Sequence, residues 1–397
     1  MTSAAPSRPE HLLLYEPRIE GHHLVYLRYI VEDLRDAGLK LTLALDQRPG
    51  SQVFIREQLG SLLDGLRIIP ARDDVGWRGG RGKAAAVAAC LQMTDAKAAF
   101  VCCFDEIASQ CLRRAACGWM PPVSLRGVTG GIYVRPRFLS ERILSPNQTL
   151  KKWGFARLLR GGWFSQILLL DEYLHASLKA SSPDAPVYFL PDPAPDFHGP
   201  AKVAARDKMQ IPHDARVFLF YGGPYKRKGL DLAVAAMLQL SAESRAFLLC
   251  VGCQPPDHVL SRELTRLAEM KRVCQINRFV STAEEEVSFA ACDAVLLPYR
   301  KHFGSSGVLS RAAAAGKPVI ASDDELIGRR VREHGLGLLF PSGNAAALQQ
   351  CIEQMATLPE EQMAKWSQAA HKYSVLCSRQ AFRRALLQSF NLPVPAV

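Results

Sequence analysis

The sequence predicts two doubly wound α/β domains, each a parallel sheet covered by helices. Three observations predict this. From His11 onward, short apolar runs alternate with longer segments of helical period. The alternation breaks at a proline-rich stretch, Leu190 to Pro200, and then restarts with the same rhythm. The length, 397 residues with 48% hydrophobic content, suits two cores rather than one.

In the first half the expected strands are HLLLYE, LTLALD, LRIIP, AFVCCF, VSLRGV, QILLLD and VYFLP, with helical segments such as His23 to Ala37 between them. In the second half they are VFLFYG, AFLLCVG, RVCQINRF, AVLLPY and KPVIAS. Prolines lack a backbone donor and resist regular structure, so Leu190 to Pro200 reads as a linker with a cleft beside it. The expected division is an N-terminal domain over 1–195, a C-terminal domain over 201–358 and a helical tail over 359–397. The tail carries Trp366, Tyr373, Leu376, Phe382 and Leu386 on apolar positions and is expected to pack back onto the first domain. No period of 20 to 50 residues recurs, which excludes a solenoid.

The composition narrows the function. No stretch approaches the roughly 20 apolar residues that span a bilayer, and the start lacks a basic segment followed by a long apolar one, so a soluble cytoplasmic protein is expected. The 11 cysteines are odd in number and many sit in apolar runs, as reduced core thiols do. Cys250 and Cys253 form a C-x-x-C pair with no second pair or His-rich partner at metal-site spacing. A net charge of +11 favours an anionic partner: a phosphate-bearing substrate, a membrane surface or a nucleic acid. No nucleic-acid-binding motif accompanies the charge, so no nucleic-acid partner is expected.

Two stretches carry the chemistry. In AVLLPYRKHFGSSGVLSRAAAAGKPVIASDDE a buried strand leads through a Gly/Ser loop into an Ala-rich helix and a second strand. Ligands bind outside the carboxyl ends of such strands, and the N–H groups of Ser305, Ser306 and Gly307 at the helix start suit a diphosphate. An ordinary N-cap by Ser305 or Ser306 explains the same residues. In YGGPYKRKGLDLAV, a strand ends at Gly222 and Gly223, and Lys226, Arg227 and Lys228 flank the next helix start. They either neutralise phosphate charge or form a solvated basic turn.

Together these stretches resemble the family-four glycosyltransferases, retaining enzymes of GT-B fold, most clearly over Val217 to Leu348. The resemblance rests on the strand-G-G-x-x-x-x-K-G order at Tyr221 to Gly229, on LPDPAPDF, on F-G-S-S-G-V-L, on A-x-G-K-P-V-I-A-S at Ala313 to Ser322 and on G-L-G-L-L-F-P-S-G-N. It implies that the C-terminal domain holds a nucleotide-diphosphate sugar as co-substrate, with no metal and no other cofactor. Donor contacts carried over are Gly222, Gly223, Lys226, Arg227, Lys228, Phe303, Gly304, Ser305, Ser306, Gly307, Val308 and Arg311. The implied transfer goes to an acceptor hydroxyl of a glycan, lipid-linked or small-molecule acceptor, with retention, Lys228 stabilising the departing diphosphate. The sequence departs from the family at three places. Its two glutamates, eight positions apart, are replaced by Phe303 and Arg311, and Gly223 stands where an arginine is common. The second glutamate looks like a ribose acceptor; Arg311 cannot accept such bonds and favours phosphate or a sugar carboxylate. The lost carboxylates also fit a non-catalytic partner subunit or a nucleotide-sugar-binding protein of this fold.

In the first domain the family's Gly-rich loop falls at EPRIEGHHLVYL, making Gly21, His22 and His23 candidate acceptor contacts. Asp105 and Glu106, after AFVCCF, are placed to position or deprotonate an acceptor hydroxyl, with a helix N-cap by Asp105 as the plain alternative. His22, Asp105 and Lys228 are the candidate catalytic residues. Arg135 to Phe164 carries seven cations against Glu141, interleaved with aromatic and aliphatic residues, a composition suited to an anionic membrane surface or to a solvated basic face. WRGGRGK at Trp77 to Lys83 extends that surface or forms a plain loop. Asp323, Asp324 and Glu325 open a helix and are read as capping or acceptor-side residues rather than metal ligands.

Overall fold

The computed structural model describes residues 9–19, 23–71, 82–140, 145–223, 226–254 and 257–394. The chain divides into two compact units, one of Met1–Pro191 with Phe382–Val397 and one of Asp192–Ala381.

The first unit is built on seven parallel strands, β1 (His11–Glu16), β2 (Lys40–Leu45), β3 (Arg67–Pro70), β4 (Ala98–Val101), β5 (Thr129–Tyr133), β6 (Phe164–Leu169) and β7 (Val187–Phe189). Their order is β3-β2-β1-β4-β5-β6-β7. All six residues of β1 are buried, as a strand covered on both faces requires. Helices α1 (His23–Asp36), α2 (Pro49–Leu59), α3 (Lys83–Gln92), α4 (Asp105–Ala116), α5 (Pro146–Arg160) and α6 (Glu172–Ser181) connect the strands. Local signals set their limits. Proline opens α2, Gly60 ends it at φ 50°, and the Asp171 carboxylate caps α6 by accepting from the N–H groups of Tyr173 and Leu174.

The expected strand VSLRGV is not one. Val123–Leu125 forms a 3-10 turn, and the fifth strand is the following TGGIY. Its two glycines weaken the strand signal but are sterically required. A Cβ at Gly130 would lie 2.7 Å from the Gln166 carbonyl oxygen, and one at Gly131 only 2.5 Å from that of Val101.

The second unit repeats the plan with β8 (Arg216–Tyr221), β9 (Ala246–Val251), β10 (Val273–Ile276), β11 (Ala294–Leu297), β12 (Val319–Ser322) and β13 (Gly337–Phe340), ordered β10-β9-β8-β11-β12-β13. Its helices are α7 (Lys202–Met209), α8 (Leu230–Leu238), α9 (His258–Glu269), α10 (Thr282–Ala291), α11 (Gly307–Ala314), α12 (Glu325–His334), α13 (Ala345–Thr357) and α14 (Glu360–Leu376). A capping box between Ser281 and Glu284 starts α10. At the opposite end of the sheet from the loops of interest, Asp293 accepts the Val217 N–H at 2.7 Å and pairs with buried Arg206 at 2.7 Å.

The tail divides differently from the expected 359–397 segment. Helix α14 packs on α11 and α12 inside the second unit, where Tyr373 joins the core with its ring tilted against His334 at 4.8 Å. Trp366 also packs in the second unit, and Leu376 is exposed. From Phe382 the last helix, α15 (Arg379–Ser389), belongs to the first unit. There Phe382, Leu386, Leu387, Phe390 and Leu392 fill a core with Tyr26, Ile30 and Phe100. The apolar spacing marks both helices correctly, but periodicity does not say which core a helix enters.

Candidate functional site

In the second unit, β8 ends at Tyr221 and the chain turns at Gly222 with φ 123°. A Cβ there would lie 2.2 Å from the Lys228 Nζ, so glycine makes room for this lysine to fold back over the strand end. Lys226–Lys228 form a 3-10 turn. Gly229, at φ 74°, then brings the backbone against the Pro298 carbonyl, which a Cβ would approach to 2.0 Å. Burial first, then the Arg227 and Arg311 charges, lowers the Lys228 ammonium to about 8. Lys226 is exposed, whereas Arg227 Nη1 lies 3.2 Å from His302 Nδ1, and His302 Nε2 lies 3.1 Å from the Ser305 carbonyl oxygen.

The loop after β11 completes the region. Gly304 turns at φ 122°, and Ser306 caps α11, its Oγ accepting from the Leu309 N–H at 3.4 Å. Of the two serines proposed as caps, Ser306 is the one used. Phe303 and Val308 are buried, and Ser306 also meets the Tyr299 hydroxyl at 3.4 Å. Arg311 donates through Nε to Glu285 Oε1 at 2.7 Å and through Nη1 to the Gly307 carbonyl at 3.2 Å. Tyr221 donates its hydroxyl to the other oxygen of Glu285. Burial opposes the Arg311 charge, but the Glu285 carboxylate prevails and raises its pKa. The structure thus brings Gly222, Lys228, Arg227, the 304–307 loop and Arg311 together at the carboxyl ends of β8 and β11. Reading the sequence missed Tyr221, Glu285 and His302. Glu285 lies in the acidic first turn of α10, which looks like plain helix-dipole complementation.

In the first unit, Gly21 and His22 lie outside the described residues. His23 opens α1, its Nδ1 3.1 Å from Glu16 Oε1 at the end of β1. Asp105 does not cap α4. Its carboxylate accepts the Val134 N–H at 2.7 Å and the Arg135 N–H at 3.0 Å, tying down the loop after β5, and burial raises its pKa. Glu106 Oε2 pairs with Arg18 at 2.9 Å and with Lys83 at 3.7 Å. One donor atom from each of His23, Cys103 and Glu106 lies within 4.8 Å of the other two.

Of the aromatics between Arg135 and Phe164, Phe138, Phe155, Trp163 and Phe164 are buried, and the three phenylalanine rings form a core chain with Tyr133 and Phe104. Only Trp153 among them is exposed, at 65%. Of that segment, Glu141 to Leu144 lie outside the described residues, as do Trp77 to Arg81 of WRGGRGK. Asp323 pairs with Arg332, and Asp324 stands at the N-cap of α12 without a side-chain cap bond. All 11 cysteines are free, Cys250 buried in β9. Among the described residues no helix is long and apolar enough to cross a membrane.

The profile of the family "Glycosyl transferases group 1" matches residues 202–373. The match covers most of the second unit and less than half of the chain. The D-inositol 3-phosphate glycosyltransferase of Streptomyces coelicolor is 30% identical over 178 residues, 42% of this chain and 38% of that protein. Its counterpart in Kineococcus radiotolerans is 27% identical over 194 residues, 44% of this chain and 43% of that protein. The chain thus spans less than half the length of the curated relatives it matches. Solved structures match nearly end to end. Anabaena HepE, crystallised with UDP and glucose, has a TM-score of 0.68 at 15% identity over 96% of this chain and 99% of its own. WaaG, of lipopolysaccharide biosynthesis, scores 0.65 at 14% identity over 96% and 98%. This likeness shows that the fold is GT-B.

Within the matched segment, the positions where the family resemblance expects glutamates are a buried Phe303 and a paired Arg311. The carboxylate at this place comes instead from Glu285 on α10. Arg311 therefore meets the loop with its charge already balanced by a neighbour, not as a bare cation.

Proposed function

We propose that the chain is a glycosyltransferase that takes a sugar from a nucleoside-diphosphate donor and moves it to an acceptor hydroxyl with retention. The observation that carries this reading is the site at the ends of β8 and β11. There Lys228, packed against Gly222 and flanked by Arg227 and Arg311, lies with the start of α11 in a family unit of glycosyl transferases. Charge-assisted bonds from such a group, with N–H donors of a helix start, stabilise a departing diphosphate without a metal ion. Preorganised cations cost no rearrangement as the charge develops. The acceptor side is assigned to the first unit, near His22, His23 and Glu106. Asp105 serves there by fixing the loop after β5. The basic face of α5 with Trp153 holds the enzyme at an anionic membrane surface, each cation contributing about 1 kcal/mol.

The test is a thermal-shift series with UDP, GDP, ADP, TDP and CMP, with and without magnesium. A rise with one diphosphate that needs no magnesium is the expected result and names the base. No rise with any of them overturns the reading. The inverted charge at Arg311 favours a second reading, a nucleotide-sugar-binding subunit without turnover. It predicts the same shift but no release of nucleoside diphosphate from the donor sugar in the presence of acceptor extracts. Sedimentation with phosphatidylserine vesicles at low and high salt tests the membrane contact, which is expected to weaken with salt.

A further inference from the structure

Strands β1 and β4 are neighbours at the centre of the first sheet, where the strand order departs outward in both directions. Open parallel sheets take ligands in the crevice outside the carboxyl ends at such a point. Three side chains of ligand type meet there: His23 at the start of α1, Cys103 just past β4 and Glu106 in the first turn of α4. None of the three is required by the donor chemistry of the other unit. Cys103 and Glu16 are buried, and the His23 side chain is 11% exposed.

We propose that His23, Cys103 and Glu106 bind a divalent transition-metal ion of zinc type. Imidazole, thiolate and carboxylate form a mixed donor set that zinc accepts at about 2.0–2.3 Å. Donors at those lengths around a tetrahedron stand roughly 3.5 Å apart, so a cluster within 4.8 Å closes on an ion by small side-chain shifts. Three protein ligands leave a fourth position for water or a ligand oxygen. The neighbours suit this role. The Glu16 carboxylate lies 3.1 Å from His23 Nδ1, an anionic neighbour that favours a cation beside the three ligands. Arg18 and Lys83 engage Glu106 through Oε2, at 2.9 and 3.7 Å. Asp105 is turned to the backbone of Val134 and Arg135 and takes no part. The proposal does not depend on the donor reading, because it concerns the other unit.

The experiment is titration of the metal-stripped full-length protein with cobalt(II), followed by absorption. One equivalent with a thiolate-to-cobalt charge-transfer band is expected. Cys103→Ser removes that band, His23→Gln weakens binding at least about tenfold, and Glu16→Gln weakens it about 10–100-fold, as loss of an outer carboxylate does. Cys102→Ser keeps the band. Melting curves of each variant without metal establish that it folds. Absence of a band in the unmodified protein, or a band that survives Cys103→Ser in a folded variant, overturns the proposal. Nucleotide-induced thermal shifts on the same samples read the donor site separately, so failure of one idea leaves the other visible.

Discussion

The two sheets share the arrangement around their central pair, β1 beside β4 in one and β8 beside β11 in the other. The strand ends they present are nevertheless opposite in character. In the first unit Glu16, Asp105 and Glu106 gather around His23 and Cys103, and one carboxylate is spent on holding backbone. In the second, glycines clear space and Lys228 and Arg227 supply positive charge beside the Glu285-paired Arg311. The same topology therefore decides where a ligand can bind, while the residues just past each strand decide whether it is a cation or an anion.

The comparison can be broken from either side. The largest effect is expected from Gly154→Ala in the first unit, where a methyl would stand 1.8 Å from the Leu112 carbonyl oxygen at the crossing of α4 and α5. A loss of about 3 kcal/mol in urea unfolding is expected, with nucleotide affinity of the folded protein unchanged. A large change in that affinity would mean that the second site depends on first-unit packing. In the second unit, Lys228→Met removes a charged partner of phosphate and is expected to cost about 2 kcal/mol, roughly thirtyfold in nucleoside-diphosphate Kd by calorimetry. An unchanged Kd would remove the cationic half of the contrast.

Asp105→Asn sharpens the contrast further, because Asn keeps one acceptor for the Val134 and Arg135 N–H groups but loses the charge. About 1 kcal/mol of stability is expected to go, with turnover retained; a stable variant without turnover would make Asp105 a base instead. The smallest effect concerns pH. Lys228 carries its charge below about 8, so diphosphate affinity is expected to decline as pH rises through that value, and the decline should vanish in Lys228→Met. The stability consequence has the reverse sign. A lysine lowered in the folded state is more readily protonated when unfolded, so its penalty shrinks as pH rises from about 8 toward its ordinary range.

Most strands are legible in the sequence because both faces of each sheet are covered, which makes β1 or β9 a continuous apolar run. β5 escapes because Gly130 and Gly131 answer to neighbouring backbone, a demand that lies in three dimensions only. The donor-side residues are legible for the opposite reason: Gly222, Lys228 and the 304–307 loop are adjacent to strand ends in the chain itself. The role of Glu285 is not legible, since its meeting with Tyr221 and Arg311 joins segments far apart in sequence. The aromatic residues after Arg135 mislead, because composition counts rings and not the side to which they turn.

The last helix carries a consequence for how the molecule is made. The core of the first unit includes Phe382, Leu386, Leu387, Phe390 and Leu392, against rings such as Tyr26 and Phe100 near the opposite end of the chain. During synthesis the whole second unit emerges before these residues do, so the part translated first is the part completed last. Until then, the core that α1 and α2 form over the first sheet lacks the side chains of the last helix.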